Sequence, residues 1–390
     1  MLPFDNLSND PEQEYLADGI SEDIITELSR FHWFFVIARN SSFSYKGTSP
    51  DVRQVAEELG VHYVLEGSVR KRGNRIRVTA QLIDGDAGRH VWADKFDREM
   101  DDIFEVQDEI TVAITSTVAP SFLEVETNRA KRKAPENLDS WDLVLRGNWH
   151  MARFSANGFA DAKQLYRKAI ALDPDSSIAL AGLAHVLTWE VGTVLASDPV
   201  EGREEGRRLA EQALEIDGNN AWAHIALARA HHVSRDNDKA VAACEAALRL
   251  NPNLAAAEGF LGLLLAHLAE YERSRQHIDR AFRLSPRDPE IPFWQLARAI
   301  AALVAGHYQE YLDETVAVDD MAPEFLPGMR HYAAAHAHFD RMEEARAMVQ
   351  RIIEMVPNAN LSFVSQSVPL VDPVARELFI AALRKAGLPE

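Results

Sequence analysis

The chain has one cysteine, Cys244, in 390 residues. A lone thiol excludes an internal disulfide framework and a cysteine-built zinc site. Base is also scarce: 60 acidic side chains stand against 41 Lys and Arg, a formal charge of −19. The imbalance is spread out, since residues 1–120 carry 22 acids and 12 bases and the other 270 residues carry 38 and 29. Nucleic acid is held by a basic face that displaces counterions from phosphate, so no direct nucleic-acid binding is expected. No apolar run reaches the roughly 18 residues that suggest a membrane helix. The best stretch, Phe260 to Leu268, is bounded by Glu258 and Glu270. The start, MLPFDN, lacks the basic region and apolar core of a secretory signal. The expectation is a cytoplasmic protein without a membrane span.

Catalytic signatures are missing too. There is no Gly-rich phosphate loop, no HExxH and no GxSxG. Asp18, Glu22 and Asp23 read as a charged helix start rather than a metal-holding pair on a sheet hairpin. Asp84-Gly-Asp-Ala-Gly88 begins like a calcium loop but lacks the third oxygen ligand and the closing Glu, so it reads as a hairpin turn. His331 and His336 are five residues apart and share a helix face poorly. No catalytic residue, metal or cofactor is expected, and the chain reads as a non-enzyme.

What the chain does have is internal repetition. A small–x3–apolar–x2–small–x4–turn pattern runs through Ala162, Tyr166, Ala169, Pro174, then Gly206, Ala210, Ala213, Gly218. It returns as Ala240, Cys244, Ala247, Pro252, as Ser274, Ile278, Ala281, Pro286, and as Ala345, Val349, Ile352, Pro357. Positions 218, 252 and 286 are 34 apart. The 71 residues from 286 to 357 leave room for one more unit around Trp294 to Val318, and the 44 from 174 to 218 imply an insertion near Val191 to Val200. Small residues let two antiparallel helices approach, as Ala240 toward Ala228, Ser274 toward Gly262 and Ala345 toward Ala333. A following Pro lacks the N–H needed to continue a helix. The period and these positions resemble the tetratricopeptide repeat, with about six units over 140–357. Cys244 then sits at an apolar packing position, as a buried inert thiol. The tail, 358–390, is expected to cap the array: Asp372-Pro373 starts a helix with Val374, Leu378, Ala381 and Ala382 on its apolar face, and Gly387 ends it.

Residues 1–120 read as βαβαβββα, an α/β layer with a mixed sheet. Leu2 to Phe4 and Phe34 to Ile37 are short strands. Ile20–Leu28 and Val52–Leu59 are helices. Tyr63–Arg70, Arg75–Ile83 and His90–Phe96 form a meander joined by Gly73-Asn74 and by residues 84–88. Ile103–Val118 is a closing helix, and 121–139, with Arg129, Lys131, Arg132 and Lys133, is a linker. The stretches LPFDNLSNDPEQEYLADGISEDIITELSRF, VIARNSSFSYKG and VHYVLEGSVRKRGNRIRVTAQLIDGDAGRHVWADKFDREMDDIFEVQDEI resemble the TolB amino-terminal-like domain. That resemblance implies a bacterial signalling protein. It also implies that a class III adenylate cyclase domain or a winged-helix domain commonly stands upstream, outside this chain. It implies no catalytic residue here.

The first helices of stacked hairpins line a concave groove, where repeat arrays take peptides. By repeat register, the groove candidates are Trp222, Arg229, His232, His267, Arg330 and His338, read as exposed aromatics and cations. Trp222 and Arg229 are seven residues apart, two turns along one face. The expected function is binding of a protein or peptide partner. The alternative is the regulatory part of an adenylate cyclase or of a winged-helix transcription regulator.

Overall fold

The computed structural model describes residues 1–390 apart from 9–12, 32–33, 35, 49, 100–102, 133–138, 152, 154, 194–197 and 287. It divides into two compact units, Met1–Ala134 and Pro135–Glu390.

The first unit is built on a four-stranded sheet in the order β1 (Asp5–Asn6), β2 (Tyr63–Arg72), β3 (Arg75–Asp84), β4 (Arg89–Glu99). β1 runs parallel to β2, and the other neighbours are antiparallel. Gly73 has φ 60° in the two-residue β2–β3 turn, the left-handed conformation that such hairpin turns demand. Alternation along β3 buries Ile76, Val78, Ala80 and Leu82. Against them pack Leu16, Ile20, Ile24 and Leu28 of α1 (Glu14–Ser29) and Ile110, Ile114 and Val118 of α4 (Ile103–Arg132). The other face is partly covered by α3 (Val52–Leu59), whose Val55 and Ala56 meet Leu2 and Val64.

Three sequence expectations fail here. The first strand is Asp5–Asn6 rather than Leu2 to Phe4. Among the described residues, 34–37 hold no strand; the segment leads into a short helix, α2 (Arg39–Phe43). The closing helix also does not stop before Pro120 but continues to Arg132, through residues assigned to a linker. Tertiary contacts carry it past the proline. Phe122 lies edge-on to Phe34 and Tyr63, at 4.9 and 5.0 Å, and the Tyr63 hydroxyl donates to Glu126. Burying such rings on a helix face outweighs the roughly 3 kcal/mol that an internal proline costs.

Among its described residues the second unit holds six antiparallel helix pairs, a tetratricopeptide-type array. The pairs are α5 (Ser140–Met151) with α6 (Ala156–Leu172), α7 (Ser177–Gly192) with α8 (Pro199–Ile216), and α9 (Ala221–Val233) with α10 (Asn237–Leu250). Then come α11 (Ala255–His267) with α12 (Tyr271–Leu284), α13 (Ile291–Val304) with α14 (Tyr308–Met321), and α15 (Leu326–His338) with α16 (Met342–Met355). The pair α13/α14 fills the space left between positions 286 and 357. Small residues set the approach. A Cβ on Gly147 or Gly182 would stand 2.7 or 2.6 Å from the buried Tyr166 ring, and one on Gly262 would stand 2.5 Å from Ile278. Inside four pairs the turn is made by one left-handed residue: Arg235 (φ 62°), Ala269 (65°), Gly306 (76°) and Asp340 (58°).

The tail forms α17 (Leu361–Ser367) and α18 (Pro373–Ala386). Asp372 caps α18 by accepting from the Ala375 N–H at 2.7 Å, and Gly387 closes it at φ 97°. Its buried face is Ala375, Phe379, Ala382, Leu383 and Ala386. The expected face is shifted, since Val374 is 68% exposed. A helix start in the sequence fixes length but not rotation, and here Phe379, set against His331 at 4.4 Å, decides the rotation. The tail also reaches back: the Val371 N–H donates to the His267 carbonyl, and Lys385 Nζ donates to the Ala337 carbonyl and Asp340. It thus touches first helices of the fourth and sixth pairs, α11 and α15.

Candidate functional site: rings and a buried cation on the concave face

Curvature brings distant first helices together. Trp189 of α7 meets Phe293 of α13 at 4.7 Å, although α9 and α11 come between them in the chain. Only the inner side of a curled array allows such a contact. Around it runs a belt of rings. His185 lies edge-on to Trp222 at 6.0 Å and accepts from Trp189 Nε1 through Nε2 at 2.9 Å. Phe260 lies 6.4 Å from Phe293 and 5.7 Å from His232, and His232 stacks on His267 at 5.2 Å.

Arg229 is at the centre of this belt. Its guanidinium carbon stands 3.7 Å from the Trp189 ring centre, 4.5 Å from Phe260 and 5.2 Å from Phe293. The residue is 5% exposed. Its Nε is buried without a hydrogen-bond partner, and no acid among the described residues pairs with it. Desolvation lowers its pKa to about 10, with Glu290 pulling the other way. Glu290, in turn, is pushed up to about 7 by burial, against the opposing pull of Arg229.

The imidazoles are kept neutral. Burial takes His232 down to about 4, with Arg229 adding to the effect, and it lowers His185 and His267 in the same way. Among the described residues, the Nδ1 atoms of His185 and His267 are buried without a hydrogen-bond partner. Arg229 is therefore the charged group of the belt.

The six sequence candidates do not form one exposed groove. Arg229, His267 and Arg330 are buried, not exposed. Trp222 is half-buried and packs against the small cluster of Ala221, Ile225, Ala247 and Ala257, while the rings on the Arg229 guanidinium are others. Arg330, in α15, is shifted by burial to about 10. His338 lies 4.4 Å from Tyr308 of α14, apart from the belt. Arg229, His232 and His267 do come together, with Trp222 joined at the edge through His185. Curvature explains the error, because a helical wheel shows which way a residue points but not how closely the array closes over it. Trp189, Phe260 and Phe293, on three other helices, escaped the sequence reading altogether. Among the described residues no three His, Cys, Asp or Glu side chains gather to hold a metal ion, and no helix is long and apolar enough to cross a membrane.

Known proteins resemble the chain in parts. A Rhizobium meliloti (strain 1021) protein named "Putative adenylate cyclase 3" is 41% identical over 240 residues, 62% of this chain. The matched part is 41% of that relative's length. Among solved structures, a thermophilic TPR protein of Thermus thermophilus aligns with 50% of this chain and 98% of its own, at 19% identity and a TM-score of 0.40. YrrB, described as a TPR protein with an unusual peptide-binding site, aligns with 50% of this chain and 93% of its own, at 21% identity and a TM-score of 0.32. Residues 223–254 match the tetratricopeptide repeat, and residues 1–113 match the second domain of HilA/YgeH-like transcriptional regulators.

Proposed function

We propose that the chain is a non-catalytic bacterial signalling or scaffold protein that binds a segment of a protein partner on the inner face of its helical array. The observation that carries this reading is the belt itself: aromatic faces from α7, α11 and α13 around an arginine of α9 with no acid partner. Trp, Tyr and Arg dominate binding energetics because they bury area and still offer donors or a planar cation. The half-buried Trp222 and His232 give the belt an accessible margin. The amino-terminal unit, whether of the TolB-like or the HilA/YgeH-like kind, would act as the docking or sensing part.

Peptides selected against the full chain from a random display library provide the test. Hydrogen exchange should show protection in α7, α9 and α11 when such a peptide binds. Protection confined to residues 1–134 would move the binding surface to the sheet unit and overturn this reading.

A second reading makes the chain the regulatory part of an adenylate cyclase, and the likeness to the Rhizobium protein favours it. Paired metal carboxylates are what cyclase chemistry requires. On either reading, this chain incubated with ATP and Mn²⁺ should form no cyclic AMP above a buffer control. Metal-dependent turnover would refute both.

A further inference from the structure

Arg229 occupies a position that three later hairpins fill with hydrocarbon. Counting back six residues from each left-handed turn residue gives Arg229, Leu263, Ile300 and Ala334. Leu263, Ile300 and Ala334 are 4%, 3% and 0% exposed, so the position is a core position by geometry. A guanidinium there loses water and should gain partners, because buried charges are ordinarily paired or hydrogen-bonded. Arg229 gains three aromatic faces and, among the described residues, no hydrogen bond. The rings cover the faces of the planar cation and supply no acceptor for its in-plane N–H groups. Glu290 acts on its charge but makes no ion pair with it among the described residues. The five N–H donors of a guanidinium, fixed in one plane, match the two oxygens of a carboxylate.

Resting on the concave-face reading, we propose that Arg229 is the anchor for one carboxylate of a partner peptide, an Asp or Glu side chain flanked by apolar residues that lie against Trp189, Phe260 and Phe293. The charge is complementary. The belt offers one cation among neutral rings, so it takes a single acid in an apolar setting rather than a run of acids. The rings hold the guanidinium in place before the partner arrives, which reduces the ordering cost of binding. The residual exposure of Arg229 is the side from which the acid can reach it.

Peptides selected from the random display library are the probe. They should share one Asp or Glu between apolar residues. Changing that acid to its amide, or Arg229→Met in the protein, should each weaken binding at least tenfold. The two changes together should weaken it no further than either alone. Arg229→Lys keeps the charge without the planar fork and should restore only part of the affinity. Arg229→Met should melt at or above the wild-type temperature, which separates lost binding from lost folding. Peptides that protect α7, α9 and α11 from exchange yet lack an acid, or bind Arg229→Met as well as wild type, would overturn this proposal and leave the concave-face reading intact. Protection elsewhere, or no selected peptide at all, would overturn both.

Discussion

Hairpin α9/α10 and hairpin α11/α12 share length, turn conformation and small-residue spacing, and one of the buried steps at which they differ sets a cation against a hydrocarbon. The first places Arg229 where the second places Leu263, and both residues are nearly sealed, at 5% and 4% exposure. Burial at that step is set by how one pair stacks on the next. The identity of the residue is set by something else. Leucine is the economical solution, since burying it contributes about 1.5–3 kcal/mol. A lone cation forfeits this and loses its hydration as well, and the three rings return on the order of 1–2 kcal/mol. A residue that stacking alone would not select is a better pointer to function than a surface charge, which costs little wherever it sits.

The comparison can be broken most severely by making the second hairpin resemble the first. Leu263→Arg buries an unpaired charge at an equivalent step and should destabilise the chain by on the order of 4 kcal/mol, read from urea unfolding. A loss below about 1 kcal/mol would mean that the step tolerates cations generally, and Arg229 would lose its special status. A smaller effect is expected from Ala247→Leu, which overpacks the α10 contact at a cost of about 1–3 kcal/mol. The exposed Lys239→Ala should cost less than about 0.5 kcal/mol. Equal melting temperatures for this pair would contradict the packing register.

Glu290 reports how far the chain itself compensates Arg229. Its carboxyl is raised from 4.5 to about 7 in the folded chain. The folded state therefore holds that proton more tightly than the unfolded state does, and stability drains away as pH rises from about 4.5 through 7. Glu290→Gln removes this dependence, so its melting temperature should match wild type near pH 4.5 and exceed it at pH 8. A difference independent of pH would place Glu290 in full contact with water. The mildest change is Ala269→Gly. Ala269 sits at φ 65°, where an L-residue is strained and glycine is not. The relief is set against the glycine's extra freedom when unfolded, and a net gain of about 0.5 kcal/mol is expected. A loss would show that the turn holds its shape without strain.

Much of the array was legible because its signals are local. The spacing of Ala240, Cys244 and Ala247 and the prolines at 252 and 286 follow from what two helices need in order to touch and stop. The meander was legible for the same reason, through Gly73-Asn74 and the alternation from Ile76 to Leu82. The fate of Pro120 was not, because Phe34 and Tyr63, which hold Phe122, lie far away in the chain. The site was half legible. Register picked out Arg229, His232 and His267 and set Trp222 on the same face. The rings that meet the guanidinium, Trp189, Phe260 and Phe293, are gathered by curvature, which no single hairpin encodes. The anomaly at 229 was nevertheless present in the sequence, since aligning the pairs on their turn residues sets it against Leu263, Ile300 and Ala334.

Cys244 gives the same hairpin a clock. It is the chain's single thiol, wholly enclosed on α10, and burial pushes its pKa well above the ordinary thiol range while Arg229 pulls it down. An alkylating reagent can reach the sulfur only when α10 parts from its neighbours, so the labelling rate counts those openings one molecule at a time. Every adduct falls on one atom, and the mass of the intact chain reads the count without mapping. A ligand that clamps the inner face should slow the clock, whereas a ligand that docks on the sheet unit should leave it running at its own pace.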